Sequence, residues 1–315
     1  MATYQQQHLH ARFGTVIALT AGLMMTGCAS EDDIVVEEEP VDPQDVVTVG
    51  VAVSSPGLIS GVTPAEVTGA EIDLVTALVE YMDSLPTGAE IFWVPTTPAS
   101  VAENHEQYQI AIGQFTQAAF DSASAQVGPY VTAQPGLLVH QDPSDDATPA
   151  LEPLAPNPIE KLDDLADASV CVVSGSLAAG ADLPAEQIVL EPTVAECEVG
   201  MRSGRYDAIS ADDVQLAGLL VDPAHSERYE LLSWEDIADD EPNAAEALDE
   251  RLTTAGSYWL GVDADLCGEA AKALETLVDD GVVEEAFSPL DNVEGFQLQT
   301  VDAAEVTTAH CESAD

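Results

Sequence analysis

The sequence has very few basic side chains and few aromatic ones. Only 7 of its 315 residues are Lys or Arg, against 58 Asp and Glu, so the formal net charge at pH 7 is -51. Nucleic-acid binding depends on clustered Lys and Arg, and an anionic membrane surface repels a chain of this charge. The composition therefore excludes an ordinary nucleic-acid partner. The acids are scattered singly through periodic segments, which is typical of a solvated surface adapted to high salt.

The sequence also lacks the motifs of common enzymes and metal sites. Its 6 His residues have no metal-ligand or triad spacing, and no C-x-x-C, H-x-x-x-H or G-x-S-x-G segment occurs. Pairs of Asp and Glu arise by chance among 58 carboxylates and carry no weight as acid–base candidates. We therefore predict no metal, no cofactor and no enzymatic activity.

An apolar run near the N-terminus, residues 13–25, follows a weakly basic start. It is too short to span a bilayer but suits the apolar core of a secretory signal peptide. It ends in Met25-Thr26-Gly27-Cys28, which resembles a bacterial lipobox. The resemblance implies that residues 1–28 form a lipoprotein signal peptide and that Cys28 is lipidated; an ordinary secreted protein is the alternative. Residues 29–45 are acidic, contain Pro and have no period, so we expect a disordered tether.

Four Cys residues follow Cys28, an even number that suits disulfides in an oxidising compartment. Four Cys residues allow three pairings. We predict bonds between Cys171 and Cys197 and between Cys267 and Cys311, because each pair closes a local loop inside one apparent subdomain.

The first folded segment has a β-loop-α-β-α-β order. Residues 46–53 are a β-branched run typical of a buried parallel strand, and residues 68–82 have apolar side chains at helical spacing with Thr68 as a candidate N-cap. A strand, a helix and a strand follow at 90–94, 100–107 and 109–113. This order predicts a doubly wound α/β half-domain.

The next segment crosses into a second lobe. Residues 129–140 end in an apolar strand and lead into a loop containing Pro and Asp. The predicted second-lobe elements are a helix at 159–165, strands at 169–173, 187–190 and 206–210, and a helix at 214–221. A strand at 257–262 and helices at 267–278 and 282–287 return to the first lobe. The predicted boundaries are 46–137 for lobe 1, 138–260 for lobe 2 and 261–315 for the return and tail, with a hinge at the two crossings.

One carboxylate is placed at the end of a predicted strand. Residues 196–202 are amphipathic, residues 203–205 end the helix, and the strand at 206–210 brings Asp212 to its carboxyl end. Small molecules bind beyond the carboxyl ends of strands in open α/β sheets, so Asp212 is a candidate for recognising a positive group. The alternative is that Asp212 and Asp213 only cap the following helix.

Several segments, each weak alone, match one family in the right order over nearly all of residues 46–311. They are Pro56-Gly57-Leu58, Thr68 to Leu74, Pro129 to Thr132, Leu162 to Leu165 before Val170 to Ser176, Glu196 to Asp213, Leu266-Cys267 and Cys311. The chain resembles the family 3 extracellular solute-binding proteins, the amino-acid-binding components of ABC importers, and most closely the actinobacterial glutamate-binding lipoproteins. The resemblance implies an α/β, two-lobed periplasmic-binding-protein type II fold with a two-strand hinge.

The resemblance also implies a function and a set of site residues. It implies a monomer, lipid-anchored on the extracellular face of the cell membrane, that delivers a small-molecule ligand to an ABC permease. Asp212 would take the α-ammonium of the ligand, and Ser176 and Leu177 would face its α-carboxylate, because N–H groups at such a turn favour anions. On the lobe 1 loop, the residues implied to face the ligand are Gly113, Gln114 and Thr116.

The chain departs from the family at one position. The family has an Arg in lobe 1 that pairs with the ligand carboxylate, but here the segment 116–121 places Ala119 at or next to that position, and no Lys or Arg occurs between Arg12 and Lys161. Loss of a charge-assisted hydrogen bond weakens binding roughly 10- to 100-fold. Three explanations are open: a cationic ligand without a free carboxylate, held by Asp212 and Asp121; an amino acid held by neutral donors; or a sensor or surface protein that keeps the fold but not the binding.

Overall fold

A computed structural model of the chain describes residues 46–85, 88–120, 124–141, 158–238 and 248–311. No helix within these ranges is long and apolar enough to cross a membrane. The predicted signal peptide, the lipidation site Cys28, the tether at 29–45 and the candidate Asp121 lie outside the described residues.

The described residues form strands and helices that alternate along most of the chain. The strands are β1 (Val46–Ala52), β2 (Glu90–Thr96), β3 (Ile110–Ile112), β4 (Gln126–Ala133), β5 (Pro135–His140), β6 (Ser169–Val173), β7 (Gln187–Glu191), β8 (Ala208–Asp212), β9 (Tyr229–Ser233), β10 (Gly256–Val262) and β11 (Thr307–Ala309). The helices are α1 (Ala70–Tyr81), α2 (Pro98–Glu103), α3 (Val194–Arg202), α4 (Asp213–Leu220), α5 (Pro223–Ser226), α6 (Trp234–Ala238), α7 (Cys267–Asp279) and α8 (Val282–Phe287).

The first sheet has six strands in the order β11-β4-β10-β3-β1-β2. Strand β1 pairs in parallel with β2 and β3, so the carboxyl ends of these three strands lie at the same edge. Val47, Val49 and Val51 of β1 are fully buried, as expected for an inner parallel strand covered on its faces. Strand β10 runs antiparallel between β3 and β4 and completes this sheet late in the chain.

The second sheet has five strands in the order β7-β6-β8-β5-β9. Strand β6 pairs in parallel with β7 and β8, and β5 pairs antiparallel with β8 and β9. The carboxyl ends of β6, β7 and β8 therefore share one edge, as those of β1, β2 and β3 do in the first sheet.

The two crossings between the sheets lie earlier in the chain than the sequence indicates. Strand β5 pairs with the second sheet from Pro135 onward, and β10 pairs with the first sheet from Gly256 onward. The predicted boundaries at 137/138 and 260/261 fall inside these strands, a few residues after the points where the strand pairing changes from one sheet to the other. The first crossing is at Gln134, because the apolar stretch that reads as one strand is two strands, β4 and β5, that belong to different sheets.

The predicted disulfides are both present. Cys171 of β6 is bonded to Cys197 of α3, with a Cα–Cα distance of 5.7 Å, inside the second lobe. Cys267, the first residue of α7, is bonded to Cys311 after β11, with a Cα–Cα distance of 5.8 Å. Each bond therefore closes a loop inside one lobe.

Some predicted element ends are shifted for identifiable reasons. Thr68 does not cap α1, because its backbone exchanges hydrogen bonds with Ser60 and the cap position is Gly69. Helix α2 begins at Pro98 because Thr97 caps it, accepting a hydrogen bond from the Ser100 N–H at 3.3 Å. The predicted helix at 159–165 is a 3₁₀ turn at Leu162–Asp167. The predicted strand at 206–210 is β8 at Ala208–Asp212, which makes Asp212 its last residue.

Candidate ligand-binding cleft

A cleft with a volume of about 460 Å³ lies between the two lobes. Its wall combines loops and helix starts that follow the parallel strands of both sheets. The described lining residues are Ser54, Thr97, Pro98, Ala99, Ala102, Gly113, Gln114, Phe115, Ala119, Val173, Ser174, Gly175, Pro192 and Gln215. None of these lining residues is charged, although the chain as a whole has a net charge of -51.

The position of the cleft follows from the topology. Ser54 follows β1, Thr97 follows β2, and Gly113 follows β3 in the first lobe. In the second lobe, Ser174 and Pro192 follow β6 and β7, and Gln215 lies in α4 directly after β8. The cleft is thus at the carboxyl ends of three parallel strands in each lobe, the edge where open α/β sheets bind small molecules.

Behind the first-lobe wall lies a buried carboxylate, Glu71. It is 0% exposed and accepts hydrogen bonds from the Gln114 N–H at 3.3 Å, from the Gln114 side-chain amide and from the Tyr130 hydroxyl. The Ser54 hydroxyl donates to the other end of the same amide, Gln114 Oε1. Burial raises the pKa of Glu71 to about 7. The hydrogen bonds to the carboxylate lower the pKa and so offset part of this rise. Glu71 lies in the first turn of α1, where the helix dipole favours negative charge.

These contacts fix the loop that carries two of the predicted ligand residues. Gln114 has a positive φ of 57°, which is uncommon for a residue other than Gly, and Gly113 has a φ of 154°. A side chain at Gly113 would meet the Ala52 Cβ at 2.2 Å. The hydrogen bonds to Glu71 and Ser54 hold Gln114 in this conformation, so the polar end of its side chain is already engaged within the lobe.

The second buried carboxylate, Asp212, lies behind the cleft and not in its wall. It is 0% exposed; its Oδ1 accepts a hydrogen bond from the Leu177 N–H at 2.7 Å, and its Oδ2 accepts one from the Tyr258 hydroxyl at 2.8 Å. Burial raises its pKa to about 7. Because Tyr258 belongs to β10 of the first sheet, this pair of side chains joins the two lobes.

The neighbouring Asp213 forms hydrogen bonds with Gln134 at the first crossing. Its Oδ1 accepts hydrogen bonds from the Gln134 N–H at 2.9 Å and from its own helix at the Val214 N–H at 2.7 Å. The Asp213 N–H in turn donates to the Gln134 carbonyl oxygen at 2.7 Å. The side chain of Asp212 makes no capping hydrogen bond with α4, so the sequence alternative of a simple helix cap does not describe it.

The structure brings some of the predicted site residues into the cleft and leaves others outside its wall. Gly113 and Gln114 line the cleft, and so does Ala119, which is at or next to the position where the resemblance implies an Arg. Thr116 instead bridges to Tyr258 through the backbone, and the Leu177 N–H is taken by Asp212. The Ser176 hydroxyl is buried and has no partner among the described residues. The ligand roles of Asp212, Ser176, Leu177, Thr116 and Asp121 stay predictions.

The lining residues that the sequence did not single out include Ser54, Thr97, Phe115, Pro192 and Gln215. Their common signal is that each lies shortly after a parallel strand. Gln215 is further held by the first lobe, because the Ser55 hydroxyl donates to its backbone oxygen at 2.6 Å.

The two lobes touch through backbone as well as side chains. Gly57 has a φ of 81°, and a Cβ added there would lie 2.4 Å from the Gly218 carbonyl oxygen. The turn after β1 and helix α4 can approach this closely only because both positions are Gly. The described structure is therefore one in which the lobes are in contact.

No protein-family model matches the chain, and no curated protein sequence matches it. Solved structures do match. An ancestral cationic amino-acid solute-binding protein is 21% identical with a TM-score of 0.52, covering 78% of this chain and 94% of its own. The solute receptor for L-cysteine of Neisseria gonorrhoeae is 18% identical with a TM-score of 0.55, covering 78% and 89%. The cysteine-binding protein from Campylobacter jejuni is 15% identical with a TM-score of 0.56, covering 83% and 94%.

At these identities the likeness shows the fold. The two sheets confirm the predicted α/β, two-lobed periplasmic-binding-protein type II fold. The neighbours are mainly solute receptors, although one structure of the ancestral protein is described as a precursor of cyclohexadienyl dehydratase. The likeness to a glutamate-binding lipoprotein subtype stays a prediction. The chain thus has the fold of the amino-acid solute-binding proteins of ABC transporters.

Proposed function

We propose that the protein is an extracellular solute-binding protein of an ABC importer, anchored by lipid at Cys28, that captures an amino acid or a related small polar or cationic solute. The observation that carries this proposal is the cleft at the carboxyl ends of β1, β2 and β3 in one lobe and β6, β7 and β8 in the other. A ligand in this cleft contacts both lobes only when they are together.

Capture follows from that geometry. A solute that touches both walls binds the closed arrangement more tightly than an open one, so it shifts the population toward closure. The two crossings, at Gln134 and before Gly256, are the points about which the lobes turn. The closed monomer then delivers its solute to a membrane permease. The proposed role requires no chemical step.

A second candidate function is a sensor or surface protein that keeps the fold without binding an amino acid. The observation that favours it is Ala119, which lines the cleft at or next to the position where the resemblance implies an Arg. Such a protein would show no ligand-dependent change in stability.

The test is a thermal-shift screen of the full-length chain in detergent, at high and low salt, with amino acids, their amides, polyamines and quaternary amines. We expect at least one compound to raise the unfolding temperature with a saturable dependence on concentration, since 100 Kd of ligand stabilises by about 2.7 kcal/mol. No shift from any compound would contradict binding and favour the sensor function.

The same screen tests the two-aspartate hypothesis. If Asp212 and Asp121 hold a cationic ligand, Asp212→Asn and Asp121→Asn each reduce the shift produced by polyamines and quaternary amines. Lipid anchoring is tested separately: Cys28→Ser should abolish incorporation of labelled palmitate into the protein in its host.

A further inference from the structure

We propose that the contact between the turn after β1 and helix α4 sets how closely the two lobes meet, and that it thereby controls the affinity of the cleft for its solute. The contact joins residues 55–58 of the first lobe to residues 215–219 of the second. The inference rests on the proposed function, because it names residues that control closure around the same cleft. Gly57 and Gly218, at the centre of the contact, are not among the described residues that line the cleft.

The centre of the contact is backbone against backbone. A Cβ added at Gly218 would lie 2.7 Å from the Pro56 carbonyl oxygen. The next atoms are Leu58 Cγ at 3.0 Å and Ser55 Oγ at 3.1 Å, so all three belong to the opposite lobe. A Cβ added at Gly57 would in turn overlap the Gly218 carbonyl group. Because a carbonyl oxygen cannot rotate away as the end of a flexible side chain can, a methyl group at position 218 requires the turn and the helix to separate.

A hydrogen bond and buried leucines complete the contact. Ser55 is 0% exposed, and its hydroxyl donates to the Gln215 carbonyl oxygen at 2.6 Å. Leu58 of the first lobe and Leu216 and Leu219 of α4 are buried in one apolar core. Because protein interiors are close-packed, the two surfaces cannot shift against each other here without losing contacts.

The turn is also connected to the first-lobe wall of the cleft. The Gly57 carbonyl oxygen accepts a hydrogen bond from the Ala70 N–H of α1 at 3.1 Å. The Leu58 carbonyl oxygen accepts one from the Glu71 N–H at 3.2 Å. The Glu71 carboxylate holds Gln114, which lines the cleft. A displacement of the turn from α4 is therefore transmitted to the wall that faces the solute.

The effect on affinity follows from closure. A solute that touches both walls binds the arrangement in which the lobes are in contact. Weakening the contact lowers the fraction of the chain in that arrangement, and the apparent affinity falls by the same factor. Gly57 and Gly218 are thus positioning residues, which act on binding without touching the solute.

Three helical Gly residues allow a matched experiment. A Cβ at Gly218 in α4 meets the opposite lobe, one at Gly200 in α3 meets the Tyr206 ring of the same lobe, and one at Gly268 in α7 has no described atom within 4 Å. Each Gly→Ala substitution raises the helix propensity in the same way. Only Gly218→Ala therefore combines a more favourable helix with a clash between the lobes.

Affinity and shape are measured on the full-length chain in detergent, and urea unfolding checks that each variant is folded. Isothermal titration calorimetry uses L-glutamate, L-glutamine, L-cysteine, putrescine and choline. Neutron scattering at the match point of the detergent gives the radius of gyration without solute. We expect Gly218→Ala to raise the Kd of the tightest-binding probe about tenfold and to enlarge the radius of gyration. Gly200→Ala and Gly268→Ala should leave both values unchanged.

Ser55→Ala tests the same contact without a clash. It removes the hydrogen bond to the Gln215 carbonyl oxygen and should raise the Kd about threefold. Its control is Ser203→Ala, because the Ser203 hydroxyl donates to the Gly200 carbonyl oxygen at 2.9 Å inside the second lobe. Ser203→Ala should leave the Kd unchanged. The serine pair decides the question if Gly218→Ala does not fold.

An increase in the Kd or in the radius of gyration that is confined to Gly218→Ala among the three Gly variants supports the inference. Unchanged values in Gly218→Ala, or equal changes in Gly200→Ala, overturn it and leave the proposed function standing. If the unchanged chain binds no probe and no compound of the wider screen, the proposed function fails. The radius of gyration of the Gly variants then still decides whether the contact sets how the lobes meet.

Discussion

Glu71 and Asp212 are two buried carboxylates that have similar hydrogen-bond partners but lie at different places in the molecule. Each is 0% exposed, each accepts a backbone N–H and a Tyr hydroxyl, and burial raises the pKa of each to about 7. The partners of Glu71, Gln114 and Tyr130, lie in its own lobe. The partners of Asp212 lie in both lobes, Leu177 in the second and Tyr258 on β10 of the first sheet.

The difference separates two tasks. Glu71 holds the loop at Gly113 and Gln114 in shape and so builds one wall of the cleft. Asp212 ties the end of β8 to a strand of the opposite lobe and so affects how the lobes meet. The rings of Tyr130 and Tyr258 are neighbours, with centroids 6.0 Å apart, so the two arrangements lie side by side at the junction of the lobes.

The largest expected effect is on the pH dependence of stability. The pKa of Glu71 rises from 4.5 and that of Asp212 from 3.8, both to about 7, on folding. Between about pH 4 and pH 7 the folded state therefore binds more protons than the unfolded state, and the free energy of unfolding falls as pH rises. Each group contributes on the order of 3 kcal/mol to this fall.

Glu71→Gln and Asp212→Asn each remove one titrating group. In each variant the free energy of unfolding should therefore decrease less between pH 4 and pH 7 than in the unchanged chain. Urea unfolding at constant high salt over this pH range measures the decrease. Asp163→Asn, an exposed substitution with the same change in net charge, is the control. A fall as steep in both variants as in the unchanged chain would contradict the account of these carboxylates.

A smaller effect on stability is expected when the hydroxyl of Tyr130 or of Tyr258 is removed, and the two variants should differ in the contact between the lobes. Tyr130→Phe and Tyr258→Phe each remove one hydroxyl from a buried carboxylate, at a cost of roughly 1 to 3 kcal/mol in the free energy of unfolding. Only Tyr258→Phe removes a bond between the lobes, so only this variant should enlarge the radius of gyration of the ligand-free chain in X-ray scattering. An equal change in both variants, or none, would mean that Asp212 does not govern the contact between the lobes.

The smallest effect compares two helix caps. Thr97 caps α2 and lines the cleft, and Thr193 caps α3 outside its wall, accepting the Glu196 N–H at 3.2 Å. Thr97→Ala and Thr193→Ala should each cost about 1 kcal/mol of stability, measured by urea unfolding. Ligand affinity should change only with Thr97→Ala; a similar change with Thr193→Ala would place the ligand elsewhere.

Much of the fold is readable from the sequence because its signals are local. The β-branched run of β1 and the amphipathic α1 each depend on residues close in the chain. The division of residues 126–140 into strands of two sheets is not readable, because β4 and β5 are both apolar and their partners lie far along the chain.

For the candidate site, the sequence predicts the strand ends that surround it but not the contacts of its side chains. The sequence places Asp212 at a strand end, but its hydrogen-bond donor Tyr258 is 46 residues away in the chain. Gln215 has one signal, its position shortly after the parallel strand β8, which is shared by the other lining residues that the sequence did not single out. The carboxyl-end rule would have indicated Ser54 and Pro192 once the parallel strands were known.

The most direct test of solute binding in this cleft is isothermal titration calorimetry of a variant that fills it. Ala99 lines the cleft and is exposed to it, whereas Ala264 is exposed in the turn before α7 and lies outside the wall. With the compound that gives the largest thermal shift, the account predicts that Ala99→Trp abolishes the heat of binding and that Ala264→Trp leaves it unchanged. Binding that survives Ala99→Trp with unaltered affinity would contradict the account.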